Sequence, residues 1–126
     1  MGGSWIPSGA PNMPYDSYDP VAGWLDGISS SGLASGWTCD PDAPNNGVKV
    51  DFYAGDNWTF AATGYANLPS ESAVNSICMG GWAHRFQVQL PSWSQGMNIH
   101  AFGLDFTWYG YTELNCGQDP SRPCTW

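Results

Sequence analysis

The sequence predicts an all-β fold, a two-sheet antiparallel β-sandwich of about seven strands with one short helical turn. Short apolar runs recur along the chain and are separated by turn residues, and 16 Gly and 10 Pro make up about a fifth of the 126 residues. The cleanest run, 48–54, alternates apolar and polar side chains as a half-buried strand does. No segment is suited to be the long helix that a parallel βαβ unit requires.

The predicted strands begin after residue 20. The first two, 22–28 and 32–39, are separated by three serines. A loop rich in Asp, Pro and Asn over 40–47 leads to the third strand, 48–54. In that strand Lys49, Asp51 and Tyr53 point away from the apolar side. After a turn at 55–57, the fourth strand covers 58–65.

Residues 67–78 interrupt the strand pattern. We expect Ser70 to cap a short helix that begins at Glu71. One side of this helix holds Ala73, Val74 and Ile77. The remaining strands are predicted at 83–90, 97–106 and 111–116, with a turn at 91–96.

The first twenty residues differ in composition from the rest. They contain four prolines among Ser, Gly and Asn, so we expect an extended tail or linker over 1–20 and a β-sandwich domain over 21–126. The alternative is that the tail packs on the domain, because it contains three aromatic residues, Trp5, Tyr15 and Tyr18.

The charge of the chain excludes several classes of partner. Eleven Asp and Glu face only three Lys and Arg, which gives a net charge of −8 at pH 7. Nucleic acids and anionic membranes attract basic proteins, so neither is expected as a partner. No apolar stretch reaches the length of a membrane span, so no membrane insertion is expected. The expected partner is neutral, cationic or reached through a cation.

The cysteines predict disulfide bonds and therefore an extracellular, oxidising location. No CxxC pair is present, and His84 and His100 lack the spacing of zinc ligands. Four cysteines allow three connectivities. Cys116 and Cys124 enclose a short loop that contains Gly and Pro, so we pair them, which leaves Cys39 with Cys78.

Six motifs follow one another in an order that resembles a known module. They are GWLDGI (23–28), GWTCDPDAP (36–44), VKVDFYAGD (48–56), ANLPSESAVNSIC (66–78), GGWAHRFQVQLP (80–91) and IHAFGLD (99–105). Over residues 22–116 they resemble an immunoglobulin-like module of secreted bacterial proteins. The resemblance implies a domain without catalytic residues, attached to a carbohydrate-active or cell-surface protein whose neighbouring domain is a partner. It also implies Cys at positions 39 and 78, in agreement with the pairing above. The aromatic run 106–111 departs from the pattern, which has small polar residues there.

Aromatic residues are the candidate ligand-binding groups. Eight Trp exceed what a core of this size readily accommodates, so some of them should be exposed. The run 106–111 falls in the expected loop between the last two strands, and loops lie at the surface. The alternative is that these rings cover the open end of the sandwich or the tail. The candidates for stacking on a sugar ring are Trp108, Tyr109 and Tyr111, followed by Trp58, Trp82 and Trp93, which fall near predicted turns.

Other residues have structural interpretations beside the functional ones. Trp37, close to Cys39, and Trp24 are expected in the core, and His84 is expected to be a structural hydrogen-bonding group. Asp40 and Asp42 provide closely spaced oxygens that could hold calcium. Asp and Asn also stabilise turns without a metal. No other cofactor is expected.

The favoured function is a non-catalytic carbohydrate-binding module. The alternative is a structural or adhesive module, in which the same aromatic residues contact another protein. A small hydrolase is a third hypothesis. The sequence has no G-x-S-x-G motif, and its acidic residues are scattered, so no catalytic residues are predicted.

Overall fold

A computed structural model describes residues 20–104 and 111–126 of the chain. The described part is mostly β-structure, which confirms the all-β prediction. The predicted tail, apart from Pro20, lies outside the described residues. The elements are β1 (Ala22–Ile28), β2 (Leu33–Cys39), β3 (Val48–Ala54), β4 (Thr59–Ala66), α1 (Ser72–Ile77), β5 (Arg85–Gln89), a 3₁₀ turn (Ser92–Ser94), β6 (Asn98–Leu104), β7 (Tyr111–Cys116) and β8 (Cys124–Thr125).

The strands form one hydrogen-bonded path in the order β4-β3-β6-β7-β1-β2-β5, and β8 pairs with β6. Neighbours in the path are antiparallel except β1 and β7, which pair in parallel through Trp24 with Asn115 and Leu25 with Cys116. The two ends of the path also approach each other, because Gly64 of β4 lacks the Cβ that would collide with Val88 of β5. The sheet is therefore a nearly closed, barrel-like arrangement.

This arrangement differs from the two separate sheets that the sequence predicts. In a sandwich the two halves pack face to face, without hydrogen bonds between them. Here the short parallel pairing of β1 and β7 joins the halves β4-β3-β6-β7 and β1-β2-β5. Alternation in sequence indicates which side chains point inward, but it does not indicate which strands become neighbours.

The main core lies inside this curved sheet and contains the inward side chains of the strands. Phe52 and Phe86 come from opposite halves, and their rings meet edge to face with centroids 5.9 Å apart. Val50 and Phe52 are fully buried, which confirms the inward side predicted for β3. Each large apolar side chain buried in this way contributes roughly 1.5–3 kcal/mol.

A second, smaller core lies on the outward face of β2, beneath α1. Trp37 is only 8% exposed and packs with Cys39, Val74 and Cys78, which confirms its predicted burial. Trp24 lies opposite Trp37 in register but is 38% exposed, so its predicted core position is wrong. The reason is that the cluster beneath α1 encloses Trp37 and does not include Trp24.

The helix begins one residue later than predicted, and Ser70 does not cap it. Glu71 occupies the cap position without a side-chain hydrogen bond to the helix. The Ser70 hydroxyl instead donates to the Asn75 side chain and accepts the His84 N–H at 3.2 Å. Val74 is the buried residue of the helix, whereas Ile77 is exposed. A helix of six residues makes fewer than two turns and buries only one such side chain.

Both predicted disulfides are confirmed, Cys39 with Cys78 and Cys116 with Cys124. The second bond holds β8, a strand that the sequence did not predict, next to β6. Two disulfides without a free cysteine indicate an oxidising environment. Within the described residues, neither the length nor the hydropathy of any helix suits a membrane crossing.

Candidate functional site

The outward face of β3, β6 and β7 brings together residues that are distant in sequence. Register places Asp51 of β3 opposite Phe102 of β6, and Phe102 opposite Glu113 of β7. Residues directly opposite each other share a face of the sheet, so these three side chains point outward in one row. Neighbouring strands are about 4.8 Å apart, so the backbones of Asp51 and Glu113 are separated by about 10 Å.

Trp58 lies in the turn between β3 and β4, not in the strand predicted for it. Its φ is 54°, in the left-handed region, which is unusual for a bulky residue and costs about 1–3 kcal/mol. The indole stacks on the imidazole of His100 from β6, with centroids 3.7 Å apart and planes 19° apart. The strained turn therefore places an indole over the outward face of the sheet.

Phe102 is the centre of the rings on this face. Tyr53 and Tyr111 contact it edge to face, with centroids 5.8 and 5.3 Å away, and Trp58 is tilted against it at 5.9 Å. These rings border a groove of about 460 Å³, within the usual range for small-molecule sites. We call it the aromatic groove; it is lined by Asp51, Tyr53, Trp58, Phe102, Leu104, Tyr111 and Glu113.

Two carboxylates flank the rings, and each is oriented by a neighbouring side chain. Asp51 accepts a hydrogen bond from the Thr63 hydroxyl at 2.6 Å. Glu113 lies 3.1 Å from Nδ1 of His100, the imidazole that also supports Trp58. Because a carboxylate can accept several hydrogen bonds, both groups can also accept from ligand hydroxyl or ammonium groups.

The predicted ligand-binding residues fall in different places. Trp58 and Tyr111 line the aromatic groove and are 46% and 68% exposed. Trp93 lines a second groove, of about 770 Å³, on the other side of the β3–β4 turn. Trp82 is 67% exposed and lines neither groove; its carbonyl accepts the Ser70 N–H just before α1. Trp108 and Tyr109 lie outside the described residues.

Sequence reasoning missed several groove residues, above all Phe102 and Tyr53. The sequence of β6 does contain a signal for Phe102, because apolar residues occupy both the inward and the outward positions of this strand. Ile99 and Ala101 are buried, while Phe102 and Leu104 face outward and are half-buried. An apolar outward side on a strand of an antiparallel sheet indicates a surface that is covered or used. No comparable signal places β3, β6 and β7 side by side.

The predicted calcium loop has a turn at its centre. Asp40 is fully buried, and its Oδ1 accepts the backbone N–H of Asp42 at 3.0 Å. This is the local hydrogen bond by which Asp stabilises a turn without a metal. Calcium binding by Asp40 and Asp42 stays a prediction.

His84 is buried beside the Cys39–Cys78 disulfide. Its ring Nε2 lies 2.7 Å from the Gly80 carbonyl, a structural hydrogen bond of the predicted kind. The sulfurs of Cys39 and Cys78 lie within 4.8 Å of a ring nitrogen of His84, but both sulfurs belong to the disulfide. A cysteine binds zinc as a thiolate, and both of these cysteines are in a disulfide, so the oxidised cluster is not a zinc site.

An ion-pair cluster fixes the start of α1 to the sheet. The Arg85 guanidinium donates to Glu71 at 2.8 Å and to Asp26 at 2.9 Å. The hydrogen bond from Arg85 lowers the pKa of Glu71 to about 2, and the pKa of Arg85 is raised by the same bond. The cluster therefore has a structural role on the face opposite the aromatic groove.

Comparisons of the chain with protein-family models, with curated proteins and with solved structures found no match, so the interpretation of the groove depends on its own geometry.

Proposed function

We propose that the protein is a non-catalytic carbohydrate-binding module and that the aromatic groove holds the sugar. The observation that carries this proposal is the exposure of Trp58 and Tyr111 against Phe102, which itself lies between Asp51 and Glu113. A pyranose ring has apolar faces that stack on aromatic rings and hydroxyls that donate to carboxylates. Such a mixture of aromatic lining and a few polar groups is typical of ligand sites.

The support beneath Trp58 favours binding at this groove. An exposed indole normally loses side-chain entropy when a ligand immobilises it. Here the ring is already stacked on His100. Its orientation is therefore largely set before a sugar arrives. Trp108 and Tyr109 belong to the segment that connects two groove residues, Leu104 and Tyr111, and we propose them as further sugar contacts.

The surroundings of the carboxylates favour binding over catalysis. The groove lies on the outward face of the strands, and the side chain of Glu113 is partly exposed. General acid catalysis by a carboxyl group needs a raised pKa, which burial in an apolar cleft provides. A solvated carboxylate is better suited to accept hydrogen bonds from sugar hydroxyls.

Tryptophan fluorescence titrated with soluble glycans tests the proposal. We expect one class of oligosaccharide to change the emission and to bind at least tenfold more weakly to Trp58→Ala and Tyr111→Ala. Trp82→Ala is the matched control, since it removes an exposed indole outside the groove, and its affinity should equal that of the wild type. Equal affinity in all three variants, or no binding to any glycan, would contradict the proposal.

A second candidate function is a structural or adhesive module. The observation in its favour is an apolar surface next to α1, where Ile77, Met79 and Trp82 are all exposed. Exposed apolar surface of this kind often contacts another protein. Sedimentation would then show association at high protein concentration that Met79→Ser/Trp82→Ser removes. A protein that stays monomeric at every concentration would disfavour this candidate.

We also propose that the domain is one of the immunoglobulin-like modules of secreted bacterial proteins and is attached to a larger carbohydrate-active or cell-surface protein. The antiparallel strands and the Cys39–Cys78 bond support this proposal. The oxidising environment that two disulfides indicate supports secretion.

A further inference from the structure

The charged side chains that line the aromatic groove are of one sign, while two basic groups lie beside them, Lys49, two residues from Asp51 on the same side of β3, and His100, 3.1 Å from Glu113. Asp51 and Glu113 contribute two carboxylates to its lining, whereas none of the three Lys and Arg of the chain lines it. Arg85 is bound to Glu71 and Asp26 at α1, and Arg122 is paired with Asp119. With a net charge of −8, the whole protein adds to the negative potential at this site.

The rings of the groove also attract cations. The face of an aromatic ring carries partial negative charge, and an ammonium group within about 6 Å of the ring centroid is bound by it. The ring centroid of Phe102 lies 5.9 Å from that of Trp58 and 5.3 Å from that of Tyr111. An ammonium group in the groove would therefore meet ring faces and carboxylates together.

We propose that the aromatic groove selects sugars that carry a free ammonium group, such as the glucosamine units of deacetylated chitin, over neutral and acidic sugars. This inference rests on the proposed carbohydrate-binding function and adds the class of sugar. A pyranose ring that carries an ammonium group matches both features of the groove, since its apolar face stacks on the rings and its charge pairs with a carboxylate. Uronic acids and sulfated sugars are repelled by the same carboxylates.

The row formed by Asp51, Phe102 and Glu113 fits such a ligand. The two carboxylates are on strands that flank β6, with Phe102 between them. A sugar that stacks on the exposed rings of Trp58 and Tyr111 next to Phe102 thus has a carboxylate on each side, and the backbones that carry the two carboxylates are about 10 Å apart. One carboxylate can accept the ammonium group while the other accepts a hydroxyl.

The test compares glucosamine hexamer with N-acetylglucosamine hexamer, which differ in the charge and acetylation of the amine. Calorimetry at low salt should give an affinity for the glucosamine hexamer that is about tenfold higher, since its ammonium groups gain a Coulomb attraction to the carboxylates that the neutral acetamide groups lack, and low salt screens this attraction little. In Asp51→Asn/Glu113→Gln this preference should fall to about twofold or less.

A matched control separates the groove from the net charge. Asp119→Asn/Glu71→Gln removes the same two charges, one from an Asp and one from a Glu, at sites outside the groove. This variant should keep the preference of the wild type. If it loses as much preference as the groove variant, the attraction is a property of the whole surface and the inference fails.

The remaining outcomes distinguish the inference from the function on which it rests. Equal affinity for the two hexamers, or tighter binding of cellohexaose, would overturn the amino-sugar inference and leave carbohydrate binding intact. Absence of binding to all three oligosaccharides would overturn the amino-sugar inference, and absence of binding to every glycan of the fluorescence titration would overturn carbohydrate binding as well. Choline is the second arm: binding of choline at the affinity of the glucosamine hexamer would assign the groove to quaternary ammonium groups and overturn the amino sugar as ligand.

Discussion

The two outward faces of the sheet both carry aromatic residues, and a protein element covers part of only one of them, where Trp37 is buried and the neighbouring Trp24 is still 38% exposed. On the β1-β2-β5 face, α1 and the Cys39–Cys78 disulfide enclose Trp37. On the β3-β6-β7 face, Trp58 and Tyr111 remain exposed in the described structure. The number of aromatic residues therefore does not locate a site. The site is where the fold supplies rings without a protein element to cover them.

The two faces also differ in how their charges are compensated. On the covered face, Arg85 forms ion pairs with both Glu71 and Asp26. On the exposed face, Asp51 accepts from the neutral hydroxyl of Thr63, and Glu113 contacts the imidazole of His100. Charge on the first face thus holds α1 to the sheet, whereas the carboxylates on the second face remain available to the proposed ligand.

The largest expected difference between the faces is in stability. Trp37→Ala should lower the free energy of unfolding by about 3–5 kcal/mol, because it leaves a cavity beneath α1. Trp58→Ala should lower it by less than about 1 kcal/mol, because surface substitutions have small effects. Urea denaturation of both variants measures the two values. Similar losses in the two variants would contradict the distinction between a covered and an exposed face.

Removal of the Cys39–Cys78 disulfide, which lies beneath α1, should lower the free energy of unfolding more than removal of Cys116–Cys124. The chain-entropy relation gives about 4 kcal/mol for Cys39–Cys78 and about 2.5 kcal/mol for Cys116–Cys124, because their separations are 39 and 8 residues. Thermal unfolding of Cys39→Ala/Cys78→Ala and of Cys116→Ala/Cys124→Ala measures this order. The reverse order would show that the cover is not a main source of stability.

On the exposed face, Phe102→Ala should weaken sugar binding about tenfold, because Phe102 supports both Trp58 and Tyr111. Phe60→Ala is the matched control, since Phe60 is exposed, contacts Tyr53 and does not line the aromatic groove. Its affinity should equal that of the wild type. Equal losses in the two variants would mean that the groove does not define the binding surface.

The smallest expected effect is the acid sensitivity of the covered face. The pKa of Glu71 falls from 4.5 to about 2 on folding, so its contribution to stability is present above pH 4.5 and is lost as the pH falls toward 2. Urea midpoints of the wild type and Glu71→Gln should therefore differ at pH 7 and converge near pH 2. A difference in urea midpoint that stays constant from pH 7 to pH 2 would exclude the ion pair between Glu71 and Arg85 as its cause.

Local sequence patterns predicted the fold in outline. Alternation located β3, and loop length paired Cys116 with Cys124. The start of α1 was misplaced, because Ser70 binds Asn75 and His84 rather than the helix N–H groups. Asn75 is a side-chain partner within the helix and His84 is a residue 14 positions away, so a capping rule that considers only the first N–H groups of the helix misses both.

The sequence by itself determined that this chain is β-rich, acidic, cross-linked by two disulfides and richer in aromatic residues than its core requires. These properties depend on composition, on alternation and on short spacings. Only the tertiary structure decided that Phe102 lies between Asp51 and Glu113 and that Trp58 turns back over β6. The reason is that strand neighbours are chosen by packing of the whole sheet, and a row of side chains across three strands has no counterpart along the chain.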